Sequence, residues 1–94
     1  PVSDTITLKK ILPGTWKNNA IDCKITMIFM VSGNDVILDG SVYEGTFTDS
    51  TFQGTCNAGN TNSTLDIKML TEIQISGSNN INDGNENRKL LIDA

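Results

Sequence analysis

The clearest pattern in the sequence is an alternation of apolar and polar residues between positions 21 and 31. The odd positions are all apolar, whereas the even positions at the start of the segment are polar. This period of two predicts a β-strand over 21–31 with one face in the core. Ile28 and Met30 make the second half apolar on both faces, which indicates cover on both sides or a contact surface.

The rest of the chain predicts further short strands joined by tight turns. Positions 32–35 have the composition of a hairpin turn, 39–40 and 48–50 form further turns, and 57–63 reads as a polar loop. Between these breaks the apolar residues again alternate. Further strands are therefore predicted over 36–38, 41–48, 52–56, 65–75 and 88–92.

Three segments do not follow the strand pattern. Residues 1–5 are expected to form a flexible arm, and the Gly- and Asn-rich segment 76–87 a mobile loop. From 6 to 12, Ile6 and Leu8 alternate as in a strand, whereas Leu8, Ile11 and Leu12 fit one helical turn ended by Pro13. We favour the helical turn over 8–12.

Taken together, the elements predict a single all-β domain over 1–94. About seven or eight short antiparallel strands with almost no helix favour a small meander barrel or sandwich. Trp16, the only tryptophan, follows the breaker pair Pro13-Gly14 and is expected to plug one end rather than to wall a ligand site. An eight-stranded barrel holds its own side chains or one small ligand, and strands this short favour a filled interior.

Composition removes several classes of function. The net charge is −4, and the seven basic residues stand singly apart from the pairs Lys9-Lys10 and Arg88-Lys89, so no patch is predicted for a nucleic acid backbone. The chain has no histidine, which excludes Ser-His and Cys-His catalysis and most zinc sites. We therefore expect no enzyme, cofactor or metal site. No apolar run approaches the roughly 18 residues that span a bilayer.

The two cysteines allow one pairing. Cys23 and Cys56 both fall on inward faces by parity, so a disulfide between neighbouring or facing strands is predicted. Such a bridge implies an oxidising compartment. The alternative is two reduced thiols buried in a cytosolic core.

Two polar groupings are candidates for binding or catalytic sites. Tyr43 near hydroxyl residues at 46, 48, 50 and 51 could form a sugar-binding face, although a plain exposed sheet surface is the simpler interpretation. The carboxylates could gather around a cation or act as an acid and base pair. They sit mainly at turns, where Asp forms local hydrogen bonds. These carboxylates are Asp35, Asp39, Glu44 and Asp49.

LPGTWK at 12–17, followed by CKITM at 23–27, resembles the opening of the bacterial metalloprotease inhibitors of the serralysin-inhibitor family. The Gly-x-Trp triplet is also similar to that of lipocalins, fatty-acid-binding proteins and avidins, a calycin-like group of barrels. The resemblance implies a periplasmic barrel with one disulfide.

The same resemblance implies roles for individual residues. In the inhibitor family an N-terminal arm enters the protease cleft, so the matching positions here are Pro1, Val2, Ser3 and Asp4. In calycins a cation from the last strand stacks on the tryptophan, which here implies Arg88, or Lys89, over Trp16.

Two functional hypotheses follow. The first is a secreted, periplasmic or cell-surface protease inhibitor that acts through its arm, with a secreted metalloprotease as partner. The second is an extracellular barrel that binds a small ligand or sugar, or a surface adhesin domain. A packed interior favours the first and a cavity of about 300 Å³ the second.

Overall fold

Alternating burial of side chains along most strands shows a sheet with one face in the core. The computed structural model describes residues 5–21 and 24–94, which form one short helix and a single sheet of eight antiparallel strands in sequence order. The predicted all-β meander is confirmed. The elements are α1 Leu8–Ile11, β1 Gly14–Lys17, β2 Thr26–Ser32, β3 Asp35–Leu38, β4 Ser41–Phe47, β5 Thr51–Ala58, β6 Thr61–Thr71, β7 Gln74–Asn82 and β8 Asn87–Asp93.

The sheet curls around one apolar core, which contains inward-facing residues from seven of the strands and two leucines of the helical segment. Phe29 and Phe52 are the largest side chains that are fully buried. Burial of such residues is the main favourable term in folding. The core residues are Leu8, Leu12, Met27, Phe29, Val36, Leu38, Tyr43, Phe52, Leu65, Ile67, Ile75 and Ile92.

Two strand glycines allow neighbouring backbones to approach closely. A Cβ atom on Gly45 would run into the carbonyl oxygen of Gln53, and one on Gly77 into that of Asp66. Both glycines therefore sit where a side chain would push adjacent strands apart. Glycine inside a strand commonly marks such a close approach, and it helps a sheet to bend.

The two ends of the sheet are joined by the segment that follows β1. Asn18 is 1% exposed, and its Nδ2 donates to Leu91 O at 2.8 Å. Its Oδ1 accepts from the backbone N–H groups of Asp93 and Ala20, each at 3.0 Å. The backbone N–H of Asn19 donates to Asp93 O at 2.7 Å. These bonds draw β8 towards β1 and give the sheet its barrel-like shape.

Helix α1 packs against the core beside the turn between β4 and β5. Leu8 and Leu12 are fully buried, and the backbone N–H of Leu8 donates to Asp49 O at 2.8 Å. Lys9 Nζ lies 4.9 Å from the centre of the Phe47 ring, a cation–π contact. The predicted helical turn over 8–12 is confirmed, since Leu12 is the C-cap residue of α1.

The predicted strand over 21–31 is wrong at its beginning. Strand β2 starts at Thr26, and Ile21 is 93% exposed. The sequence alternates from position 21, but the described pairing of β2 with β1 begins only at Thr26. Met27 and Phe29 are buried as predicted, whereas Ile28 and Met30 are more than half exposed on the outer face. No described part of the chain covers them.

The predicted loop over 57–63 and the predicted mobile loop over 76–87 are also largely strand. Strand β5 continues to Ala58 and β6 starts at Thr61, while β7 runs to Asn82. The strand predicted over 65–75 is broken by a turn between Thr71 and Gln74. Asn, Ser and Gly disfavour strands, but pairing with β6 on one side and β8 on the other overrides this preference.

Between β7 and β8 only a short turn remains of the predicted loop. The Asp83 carboxylate accepts hydrogen bonds from the backbone N–H groups of Glu86 at 3.0 Å and Asn85 at 2.9 Å. These bonds favour the charged form and lower the pKa of Asp83 below its ordinary value.

Replacing Asn18 tests the junction between β1 and β8. Asn18→Ala removes three hydrogen bonds and leaves buried backbone groups unpaired, so we expect the free energy of unfolding to fall by about 2–4 kcal/mol. Urea unfolding followed by circular dichroism measures this change. Asn19→Ala is the matched control, because its side chain is exposed and only its backbone reaches β8. Equal losses in the two variants would contradict the role of the Asn18 amide.

Candidate functional site

A cavity of about 360 Å³ opens on the inner side of the curled sheet. It lies beside the turn between β3 and β4, whereas α1 packs at the other end of β4. The helix therefore closes one end of the interior and leaves the other end accessible. The expectation of a filled interior is wrong at this end, where the inward-facing side chains leave the cavity between them.

Most of the cavity wall is apolar. The aliphatic side chains come from four strands and from the residue just before β2, so the wall depends on the curl of the whole sheet. These side chains are Ile25, Met27, Leu38, Ile81, Leu90 and Ile92. A wall of this kind favours a ligand with an apolar body.

Three polar side chains from three different strands also line the cavity and are almost fully buried. Tyr43 of β4 is 4% exposed, and Ser63 of β6 and Asn79 of β7 are each 8% exposed. Asn79 Nδ2 donates to the Tyr43 hydroxyl at 3.1 Å and to Thr64 O at 2.9 Å. Polar groups held this firmly can orient a ligand, because their own positions are set by the sheet.

The charge at the cavity is low. Among residues 5–21 and 24–94, Asp39 is the one carboxylate in the wall, and no Lys or Arg of these residues lines it. Asp39 Oδ1 already accepts a hydrogen bond from the backbone N–H of Ile28 at 2.9 Å. The site therefore offers no cation to an anionic ligand, and an uncharged ligand suits it best.

Trp16 lies outside the cavity wall. It is half-buried against the core, and its Nε1 donates to Leu12 O at 2.8 Å, which ties β1 to the helical segment. Arg88 and Lys89 are exposed on β8. The predicted stacking of either cation on Trp16 is wrong, since the cation–π contact among the described residues is Lys9 on Phe47.

The two polar groupings weighed from the sequence do not form the sites considered. Tyr43 is buried and faces the interior, so it cannot be the platform of an exposed sugar-binding face. Among the described residues, no group of three or more Cys, Asp or Glu side chains could hold a metal ion. Asp39 instead accepts a hydrogen bond from the backbone N–H of Ile28 on β2, which is 11 positions away along the chain, so this bond is not local to the turn.

The other predicted site residues fall partly outside the described residues. Pro1, Val2, Ser3 and Asp4 are outside them, and so is Cys23. Cys56 of β5 is a half-buried free thiol that packs against the core, so the predicted disulfide is not seen.

Comparison of the chain with protein family models, curated proteins and solved structures gives no match. In the part of the chain that the structure describes, no helix is long and apolar enough to cross a membrane. The site must therefore be interpreted from its own geometry.

The sequence interpretation missed the polar residues of the cavity, although one signal was present. Ser63 has the same parity as the core residues Leu65 and Ile67, and Asn79 has the same parity as Ile75. Both lay in segments interpreted as loops. Strand parity extended through those segments would have placed two polar side chains inside.

Proposed function

We propose that this protein is a non-enzymatic binding protein for a small, uncharged, largely apolar ligand, which occupies the cavity at the open end of the curled sheet. The observation that carries this proposal is the apolar cavity of about 360 Å³ with Tyr43, Ser63 and Asn79 in its wall. Ligand sites commonly have this volume and this combination of an apolar wall with a few placed polar groups. It is the small-ligand hypothesis from the sequence.

Burial supports the proposal energetically. An apolar ligand that enters the cavity loses contact with water, which contributes about 25 cal/mol for each Å² of apolar surface buried. The ligand also meets side chains that are already ordered by the core, so little ordering cost opposes binding.

Filling the cavity tests this proposal. The fluorescent neutral probe N-phenyl-1-naphthylamine should bind the unmodified protein with increased emission. Leu90→Trp, which places a bulky ring in the cavity, should weaken probe binding at least about tenfold. Leu91→Trp is the matched control, because Leu91 is the next residue on β8 and lies on the outer face, 46% exposed.

The comparison of these two variants decides the outcome. Weakened binding in Leu90→Trp alone supports the cavity as the site. Equal probe binding in both variants, with folding verified by circular dichroism, would place the probe elsewhere and contradict the proposal.

The second candidate function is inhibition of a secreted metalloprotease through residues 1–4. One observation favours it: α1 is held in place by the buried Leu8 and Leu12, so the segment just before it leaves from a fixed point on the domain. A short segment that starts from a rigid body loses little entropy on entering a protease cleft.

Deleting residues 1–4 tests the inhibitor hypothesis. Inhibition of a serralysin-type protease should be lost, while thermal stability should change by less than about 0.5 kcal/mol, because the anchoring leucines remain. Binding of N-phenyl-1-naphthylamine by the shortened chain is the control for folding. If the full chain does not inhibit such proteases at micromolar concentration, the hypothesis and the family resemblance are both abandoned.

We also propose that the protein works in an oxidising compartment, either secreted, periplasmic or at the cell surface, and that Cys23 pairs there with Cys56. The even cysteine count supports this pairing, and so does the position of Cys56, which packs against the core. The chain-entropy model gives about 4 kcal/mol for a bridge between these positions.

Thiol titration tests the pairing. Protein isolated without reductant and then unfolded should show no free thiol, and reduction should expose two thiols per chain. Mass spectrometry of a digest would identify the linked peptides. Two free thiols in the unreduced protein would contradict both the bridge and the proposed compartment.

A further inference from the structure

The hydrogen bonds of Asn79 determine which polar groups face the cavity. Its Nδ2 lies 2.9 Å from Thr64 O. A backbone carbonyl can only accept a hydrogen bond, so the nitrogen of the amide must be on that side. The orientation of the Asn79 amide is therefore settled, with Oδ1 on the opposite side.

The same nitrogen determines the role of the Tyr43 hydroxyl. Asn79 Nδ2 donates its second hydrogen to that oxygen at 3.1 Å. The hydroxyl therefore acts as acceptor in this contact and keeps its own hydrogen to donate. Among the described residues no group accepts that hydrogen, and Tyr43 lines the cavity.

Asn79 Oδ1 is the complementary acceptor. Hydrogen bonds within the described residues involve the nitrogen of this amide and not its oxygen. In that part of the chain, every side-chain nitrogen or oxygen atom that is buried from solvent has a hydrogen-bond partner. Oδ1 is therefore accessible from the cavity that Asn79 lines. The Tyr43 and Asn79 pair thus presents one donor, the Tyr43 hydroxyl, and one acceptor, Asn79 Oδ1, and Asn79 Nδ2 positions both. The Ser63 hydroxyl lies in the same wall.

We infer that the ligand carries a neutral head group with an acceptor and a donor side by side, as in the amide of a lactam or a cyclic urea, on an apolar body. Its carbonyl accepts from the Tyr43 hydroxyl, and its N–H donates to Asn79 Oδ1. A carboxylate is disfavoured, because it would face Asn79 Oδ1 and no cation among the described wall residues would balance its charge. This inference rests on the proposed function and specifies its ligand.

A matched series of small rings tests the head group. ε-Caprolactam has the amide acceptor and donor, N-methylcaprolactam lacks the donor, and cycloheptanone has the acceptor on a ring of the same size. Nuclear magnetic resonance titration of the unmodified protein gives the dissociation constant of each. Caprolactam should bind about fivefold or more tightly than N-methylcaprolactam, as one hydrogen bond requires.

Tyr43→Phe then tests the assignment of the donor. The preference for caprolactam over cyclohexane, which has no polar group, should fall by about fivefold in this variant. This ratio compares two ligands on the same protein, so a general loss of stability does not change it. If the variant does not fold, the three-ring series on the unmodified protein still decides the question.

The outcomes separate this inference from the function on which it rests. If the rings bind but caprolactam shows no preference over N-methylcaprolactam, the head-group assignment is wrong and the cavity remains a ligand site. If N-phenyl-1-naphthylamine binds equally to Leu90→Trp and Leu91→Trp, the proposed function fails as well. A preference for caprolactam that is reduced by Tyr43→Phe supports both.

Discussion

The structure depends on the hydrogen bonds that Asn18 makes to β8. A sheet of consecutive antiparallel strands has two free edges, and its inner face is protected from water only if the sheet curls. The Asn18 amide is well suited to joining the edges, because it donates to Leu91 O and accepts from Asp93 N on the same strand. The backbone contact of Asn19 with Asp93 adds to the junction. Ile92, which lies between Leu91 and Asp93 on β8, is a core residue and 4% exposed.

The cavity is a consequence of the same curl and of the placement of α1. The helical segment buries Leu8 and Leu12 at one end of the interior, where Phe29 and Phe52 also contribute bulk to the core. No comparable element covers the other end among the described residues. Asn18 takes part in both the junction between the sheet edges and the wall of the cavity. A ligand at this position would contact the junction and stabilise the closed shape by mass action.

Buried polar side chains are costly unless they are paired, so the Tyr43 and Asn79 pair needs a physical explanation. Part of it is structural, because Asn79 Nδ2 joins β7 to both β4 and β6 across the interior. The remaining donor and acceptor have no structural role among the described residues and face the cavity. That combination distinguishes a candidate binding site from an ordinary core contact.

Strand parity in the sequence was sufficient for the fold class and for much of the core. Met27, Phe29, Leu65 and Ile67 were placed correctly, because period-two alternation directly reflects which face of a strand is buried. The helical turn before Pro13 was predicted for the same kind of local reason. Prediction from composition was wrong where the conformational preference of the residues differs from the strand pairing that they make. In β7, the Asn, Ser and Gly residues are typical of a loop, yet the segment pairs with both neighbouring strands.

The tertiary structure alone decided the features on which the proposed function depends. The sheet brings together Asn18 and β8, which are far apart in sequence, and it sets Tyr43 beside Asn79. Those contacts depend on how far neighbouring strands shift and tilt as the sheet curls. The local pattern of apolar and polar residues does not determine this shift or tilt. The same holds for Ile21, where alternation predicts a strand but no strand of the described residues pairs with it, and its side chain is exposed. Local chemistry determined which residues could be buried, and the global curl determined which of them meet.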